Sequence, residues 1–296
     1  LASGSVAAGG TLGVMIPPSL VFIIYGIFAE VSISDLFIAG IIPGLLTLIV
    51  YCLMIGLRCH FNPALAPRSD LSESWGDRWR SLGQVWPIIC LVIAVIGAIY
   101  AGIATPTEAG ALGAFCAIVI SALNGRLSRS MFSDSLHETV TTTARVFFIV
   151  IGAVLFSRFM AQAGVAPYLA QLIVDNDPSP WTIIFMAAAL FLLLGMFLDT
   201  LGLLLLTLPL LIPMFEAANL DLIWLGVLTV KFVEIGMITP PVGLNVYVLK
   251  SIVGEKIRLE TIFSGAAWFI LCEVFICAAL IAFPSLSLFL VNTMHN

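Results

Sequence analysis

The chain has 296 residues, of which 61% are hydrophobic and 10% charged, with a formal net charge of −5 and a mean hydropathy of +1.14. A soluble domain carries about 25% charged residues, so a water-soluble globule is excluded: there are too few charges to coat its surface. The acidic balance gives no reason to expect a nucleic-acid partner, and the six cysteines, at 52, 59, 90, 116, 272 and 277, contain no Cys-x-x-Cys pair and read as small apolar filler.

The apolar residues come in long runs. Residues 36–57 and 85–107 carry no charged side chain, and 265–290 carry one, Glu273. A helix needs about 20 apolar residues to cross the hydrocarbon, so these are expected to be spans. In chain order the embedded segments are expected at 10–29, 36–57, 85–103, 108–123, 146–174, 181–198, a broken region over 201–250, and 262–290. The fold class is thus an all-α integral membrane protein. Residues 1–10, beginning at Leu1, lack the basic start, apolar stretch and cleavage site of a signal peptide, and read as the opening of a fragment.

The loops separate by charge. Arg58, Arg68, Arg78 and Arg80 fall in 58–80, Arg126 and Arg129 in 124–130, and Lys250, Lys256 and Arg258 in 250–258. The 175–180 loop has Asp175 and Asp177 and no base. The positive-inside rule puts the first three loops in the cytoplasm and the last outside. Within 58–80, Leu71, Trp75, Trp79 and Leu82 recur at helical spacing between polar residues, which predicts an amphipathic helix in the lipid interface.

One internal similarity stands out. Gly13-Val14-Met15-Ile16-Pro17-Pro18 near the start is matched by Gly236-Met237-Ile238-Thr239-Pro240-Pro241 downstream: a glycine, three residues, then a proline pair. Proline has no N–H and clashes with the preceding turn, and glycine lets the backbone leave helical geometry, so both helices are expected to break. Unwound backbone at membrane depth survives only where it lines a protein-buried or watery cavity, and a matched pair of breaks points to a transporter binding site. The loop charges make the first broken helix run in to out and the second out to in, as in an inverted-repeat secondary transporter. Pro209 and Pro213, with Gly202, suggest a re-entrant hairpin within 201–214.

Broken helices offer carbonyls to a cation such as sodium and amides to a carboxylate. The candidates are Gly10, Gly13, Ile16, Pro17 and Ser19 at the first break and Gly236, Thr239, Pro240, Gly243 and Asn245 at the second. Intramembrane charge adds Asp199, a sodium ligand or a helix cap, and Glu234, a site residue or the ion-pair partner of Lys231. Glu108, three residues after Thr105, reads as a capping box. Arg145 and Arg158 lie near span ends, where they either bind an anion or snorkel to the interface.

The stretches 10–19, 102–109 (Gly-Ile-Ala-Thr-Pro-Thr-Glu-Ala) and 235–245, together with Asp199, Pro209 and Pro213, resemble motifs of the large membrane subunit of TRAP (tripartite ATP-independent periplasmic) transporters. The resemblance implies a sodium-coupled importer of organic acids, working by an elevator motion in the bacterial inner membrane. Its partners would be a small membrane subunit and a periplasmic substrate-binding protein that delivers a C4-dicarboxylate, a sialic acid or another carboxylate. It assigns sodium to Gly13, Ile16, Pro17, Gly236, Thr239 and Pro240, and the substrate to Ser19, Gly243 and Asn245. It divides the chain into the end of a first transport repeat (1–30), a span and cytoplasmic interfacial helix (31–84), scaffold spans (85–180), a second repeat with re-entrant hairpin and broken helix (181–250) and a C-terminal span (251–296). It also puts the family's first hairpin ahead of Leu1. The alternative is a stand-alone sodium symporter of the divalent-anion type. A membrane-embedded enzyme is disfavoured, because His60, His137 and His295 lie in loops or near ends and no paired intramembrane Asp motif occurs.

Epitope tags placed in loops 58–80 and 175–180 are expected to become accessible from opposite faces of the membrane. Labelling of both from one face would overturn the charge-based topology.

Overall fold

The computed structural model describes residues 1–66 and 75–294. Among these, every regular element is a helix. The helices group into two compact units, one formed by 1–65 and 149–296 and the other by 66–148.

The larger unit begins with α1 (Ala2–Met15) and α2 (Leu20–Phe28), which are bent by 43° at Pro17-Pro18. Helix α3 (Ile33–Phe61) is long and apolar enough to cross a membrane. In the smaller unit, α4 (Trp75–Gln84) leads into α5 (Trp86–Tyr100) and α6 (Pro106–Leu123), which pack on each other. The long helix α7 (Arg129–Gln162) is divided between the units. The larger unit continues with α8 (Val165–Asn176), α9 (Pro180–Gly195), α10 (Thr200–Ala217), α11 (Leu222–Ile238), α12 (Leu244–Val253), α13 (Leu259–Ala282) and α14 (Ser285–Met294). By length and composition α3, α6, α7, α10 and α13 qualify as membrane spans, and the bent pair α1–α2 makes a sixth.

Local chemistry sets these boundaries. Ser19, Ser32, Ser179, Asp199 and Asp221 cap α2, α3, α9, α10 and α11 by accepting backbone N–H groups of the first turn, the orphan donors that every helix start leaves. At α6 the expected capping box is present: the Thr105 hydroxyl accepts the Glu108 N–H, and the Glu108 carboxylate accepts the Thr105 N–H at 2.8 Å.

Three expectations are corrected. The segment 146–174 is not one span: Gly164, at φ 75°, separates α7 from α8, and α7 starts well before 146. Pro209 and Pro213 do not break the chain, because α10 is continuous through both. The helix–turn–helix is instead α9 and α10, whose tip lies at 196–199. The segment 262–290 is likewise not one helix: α13 ends at Ala282 and α14 starts at Ser285. The helix expected over 71–82 is described from Trp75 onward as α4, with Trp75 and Trp79 exposed; Leu71 lies outside the described residues.

The core of the larger unit is α11, buried along nearly its whole length. It packs against α9, α13, α1 and α3, which explains why its polar residues cannot be satisfied by water. Small residues allow the closest approaches. A Cβ on Gly4 of α1 would sit 2.3 Å from the backbone carbon of Gly265 on α13, and one on Gly236 of α11 would sit 2.9 Å from Cα of Gly195 on α9. On α3, a Cβ at Gly40 would lie 3.1 Å from the Met15 carbonyl oxygen, and one at Gly44 would lie 3.4 Å from the Ile16 side chain. Both glycines lie on one helix face and bring α3 against the first break. In contrast, only 6% of the membrane-length window of α6, and likewise of α7, is buried within the chain. Their apolar sides suit lipid or another membrane subunit rather than water.

Gly4→Ala is expected to force α1 and α13 apart and to destabilise the full-length protein by about 1–3 kcal/mol, the usual cost of overpacking. Gly56→Ala, which meets no neighbouring atom within 4 Å on α3, is expected to be neutral or stabilising by up to about 1 kcal/mol. Thermal unfolding in detergent checks the contrast.

Candidate functional site

The two proline pairs lie where helices end. Helix α1 stops at Met15, and residue 16 turns extended, at φ −76° and ψ 124°. Pro17 and Pro18 lack N–H groups, so the carbonyls of Gly13 and Val14 lose their helical donors. The Ser19 hydroxyl donates to the Val14 oxygen and accepts the Phe22 N–H at 3.4 Å. Ser19 is itself buried, so its hydroxyl is committed to closing one helix and opening the next. Gly10, Gly13 and Ile16 are exposed and Pro17 is buried.

The second break repeats the arrangement. Helix α11 stops at Ile238, and Thr239 is extended at φ −87° and ψ 135°. Pro240 and Pro241 remove the helical donors of the Gly236 and Met237 carbonyls. The Gly236 oxygen accepts the Thr239 N–H at 3.2 Å, and the Thr239 hydroxyl donates back to the Ile235 carbonyl at 2.6 Å. Both Pro17-Pro18 and Pro240-Pro241 peptide bonds are cis. Gly243 has φ 57°, a left-handed conformation that glycine adopts without a Cβ penalty. Its N–H donates to the Met196 carbonyl at 3.3 Å.

That bond ties the tip of α9–α10 to the second break. The Thr200 hydroxyl lies 3.3 Å from the Met237 sulfur, and Gly195 sits against Gly236. At the tip the Asp199 carboxylate accepts the Leu201 and Gly202 N–H groups at 3.1 and 3.2 Å, so it serves as the cap of α10. The two breaks are also joined to each other. Helix α1 packs on both α11 and α12, and the Asn245 amide donates to the Ala7 carbonyl at 3.4 Å. Asn245 therefore bridges from the second break to the helix that leads into the first, and keeps its Oδ1 as an acceptor.

Glu234 belongs to a different constellation. The Lys231 ammonium lies 2.5 Å from Glu234 Oε2 and 2.7 Å from Glu273 Oε2, and donates to the Thr47 hydroxyl at 3.0 Å. The Tyr51 hydroxyl donates to Glu273 Oε1 at 2.6 Å. Lys231, Glu234 and Glu273 are all fully buried. The sequence indicates the Lys231–Glu234 pair at i, i+3, but not Glu273, Thr47 or Tyr51. The available signal was Glu273 itself, a lone charge in an apolar run that required a partner from another helix. No group of three or more His, Cys, Asp or Glu suited to a metal ion occurs among the described residues.

A helical membrane protein with two proline-broken helices packed side by side under a helix–turn–helix tip belongs to the class of multi-pass membrane permeases. Over residues 1–286 the chain matches the family described as "Tripartite ATP-independent periplasmic transporter, DctM component", and it belongs to that family. It is 32% identical over 293 residues to the C4-dicarboxylate TRAP transporter large permease protein DctM of Pseudomonas aeruginosa, and 34% identical over 292 residues to the sialic acid TRAP transporter large permease protein SiaM of Vibrio cholerae. Each alignment covers 98% of this chain and 67% of the relative. It is 33% identical over 260 residues to the isethionate TRAP transporter permease protein DctMQ of Oleidesulfovibrio alaskensis, covering 86% of this chain and 40% of that relative. The chain is therefore a multi-pass inner-membrane permease of the tripartite type rather than an enzyme.

Asp199→Ala is expected to lower stability of the full-length protein by about 1 kcal/mol, and Asp199→Asn to retain most of it, since either side chain caps a helix. Equal loss of uptake in both variants, at unchanged thermal stability, would overturn the assignment of Asp199 as a cap alone.

Proposed function

We propose that this chain is the transport-domain part of the large permease subunit of a sodium-coupled secondary transporter that imports organic acids across the bacterial inner membrane. The observation that carries the reading is the pair of Gly-x-x-x-Pro-Pro breaks, each removing the α-helical donors of the carbonyls four residues before its prolines and both packed against the same helices.

The chemistry follows from the backbone. The carbonyl ends of α1 and α11 carry the negative end of the helix dipole. At each, proline has removed the donor from the glycine carbonyl and the one after it. Sodium supplies the missing positive charge there, with Gly13, Ile16 and Pro17 around one ion and Gly236, Thr239 and Pro240 around the other. The opposite ends, the first turns of α2 and α12, present amides to an anion. Ser19, Gly243 and Asn245 stand at these starts. The free Oδ1 and partial exposure of Asn245 favour it as the side chain that reads the acid. Ser19 and Gly243 act by setting the backbone that surrounds it. Sodium offsets the negative carbonyl ends and the charge of the bound carboxylate, so the loaded and empty sites differ in the cost of crossing the membrane.

In this reading residues 1–30 are the end of the first and 181–250 the second of two inverted repeats of an elevator, and 85–180 supply scaffold and connecting spans. Residues 31–84 and 251–296 complete the frame. A small membrane subunit and a periplasmic binding protein are its partners, supported by the tripartite family and by the uncovered apolar sides of α6 and α7. C4-dicarboxylates, sialic acid and isethionate, named for the relatives, are all anions, and the substrate class proposed is a small organic acid, foremost a carboxylate.

Thr239→Val in the full-length, assembled transporter is expected to raise the sodium concentration for half-maximal uptake several-fold; an unchanged sodium curve rejects Thr239 as a ligand. Asn245→Leu is expected to cut uptake with membrane insertion preserved. Equal loss of uptake and insertion would assign it to folding alone.

A further inference from the structure

Between α3 and α13, on the outside of the larger unit, runs a groove of about 370 Å³ that no residue of either break lines. Val50, Leu53, Met54, Leu57 and Arg58 line it from α3, and Trp268 lines it from α13. The α3 residues recur at i, i+3, i+4, i+7 and i+8, which puts them on one helix face. The chain leaves that face uncovered, with Leu53, Leu57 and Trp268 exposed. Behind the groove the wall is firm: the rings of Tyr51 and Phe269, both buried, meet edge-on with centroids 4.9 Å apart.

The groove is apolar along its length and cationic at one end. Helix α3 has 29 residues, which makes it about 43 Å long, more than the roughly 30 Å of hydrocarbon it crosses. Arg58 is in its last turn and so stands at headgroup depth, while Val50 lies about 12 Å further along the helix toward the hydrocarbon. The Arg58 guanidinium sits over the Trp268 ring, 4.3 Å from its centroid. Attraction to the ring holds the cation in place without using its N–H donors. Arg58 is half-buried, not reaching out into water as a snorkelling side chain does. Among the described residues, neither its guanidinium nor the Trp268 indole N–H has a hydrogen bond or an ion pair.

We propose that this groove binds one anionic phospholipid, with its phosphate on Arg58 and the Trp268 N–H and an acyl chain along Val50, Leu53, Met54 and Leu57. A guanidinium pairs with phosphate through two parallel N–H bonds. A zwitterionic lipid carries the same phosphate but brings its own ammonium to the cation, so a net negative headgroup is preferred. An apolar helix from another subunit could fill the groove, but it would bury Arg58 with no counter-charge. The positive-inside rule puts this end of α3 at the cytoplasmic leaflet, where anionic lipids make the surface potential negative. The bound lipid bridges the ends of α3 and α13, and α3 is the helix that presents Gly40 and Gly44 to the first break.

The test uses the full-length protein purified in detergent and a phosphatidylglycerol that carries a photoreactive diazirine in one acyl chain. Cross-links are expected on residues 50–57 of α3, read by peptide mass spectrometry. Unlabelled phosphatidylglycerol is expected to suppress them at about one tenth of the concentration that phosphatidylcholine needs. Arg58→Gln is expected to weaken labelling about tenfold with thermal unfolding in lipid-free detergent unchanged, and Arg58→Lys to retain part of it, since lysine keeps the charge and loses the fork. Trp268→Leu leaves the cation unheld and is expected to weaken labelling as well. Equal competition by the two lipids, or full labelling of Arg58→Gln, would overturn the proposal. Displacement of the probe by inorganic phosphate alone would assign Arg58 to a free anion, and loss of labelling when the small membrane subunit is bound would assign the groove to a protein; either result overturns it too.

Discussion

A peptide carbonyl inside a membrane must find a donor, and a proline four residues later takes its donor away. That constraint organises the larger unit. At Gly236 the lost donor is replaced by the Thr239 N–H in a tighter turn, and at Val14 by the Ser19 hydroxyl, so in neither case does the helix continue. The opened segments survive because α1, α11, α12 and the tip of α9–α10 close around them. Glycine at 4, 195, 236 and 265 is the packing counterpart, since it lets backbones approach to distances that any side chain would block. The function proposed for the chain is a use of the same carbonyl ends.

Proline alone does not dictate a break, and α10 demonstrates this. Pro209 and Pro213 deprive the carbonyls of Leu205 and Pro209 of donors, yet the helix runs on. The difference is local. Adjacent prolines withdraw two consecutive donors and restrict the residue before them to extended geometry, whereas prolines one turn apart remove donors singly, and α10 is braced by α2, α8 and α9. The paired prolines were therefore legible as breaks in the sequence, and the isolated ones were misleading.

The caps at Asp199 and Thr105 were legible too, because they act over two or three residues. What the sequence concealed was everything that acts between helices. Glu273 appears as one acid in an apolar run and Lys231 as half of a pair on its own helix. Only the packing of α3, α11 and α13 brings them together with Thr47 and Tyr51. Likewise nothing in Met196 announces that its carbonyl receives the amide of Gly243, although that bond joins the tip to the second break. Periodicity reports which face of a helix is apolar, and it carries no information on which partner that face meets.

The account stands on cations occupying the carbonyls that the proline pairs set free. Electron cryo-microscopy of the complete transporter in lipid, once in sodium and once with sodium replaced by choline, tests it most directly. The account predicts density within coordination distance of the Gly13 and Gly236 carbonyl oxygens in sodium and none in choline, with both helices open at the prolines. Density that is unchanged by the exchange, or carbonyls at both glycines turned toward lipid and empty in sodium, would contradict it.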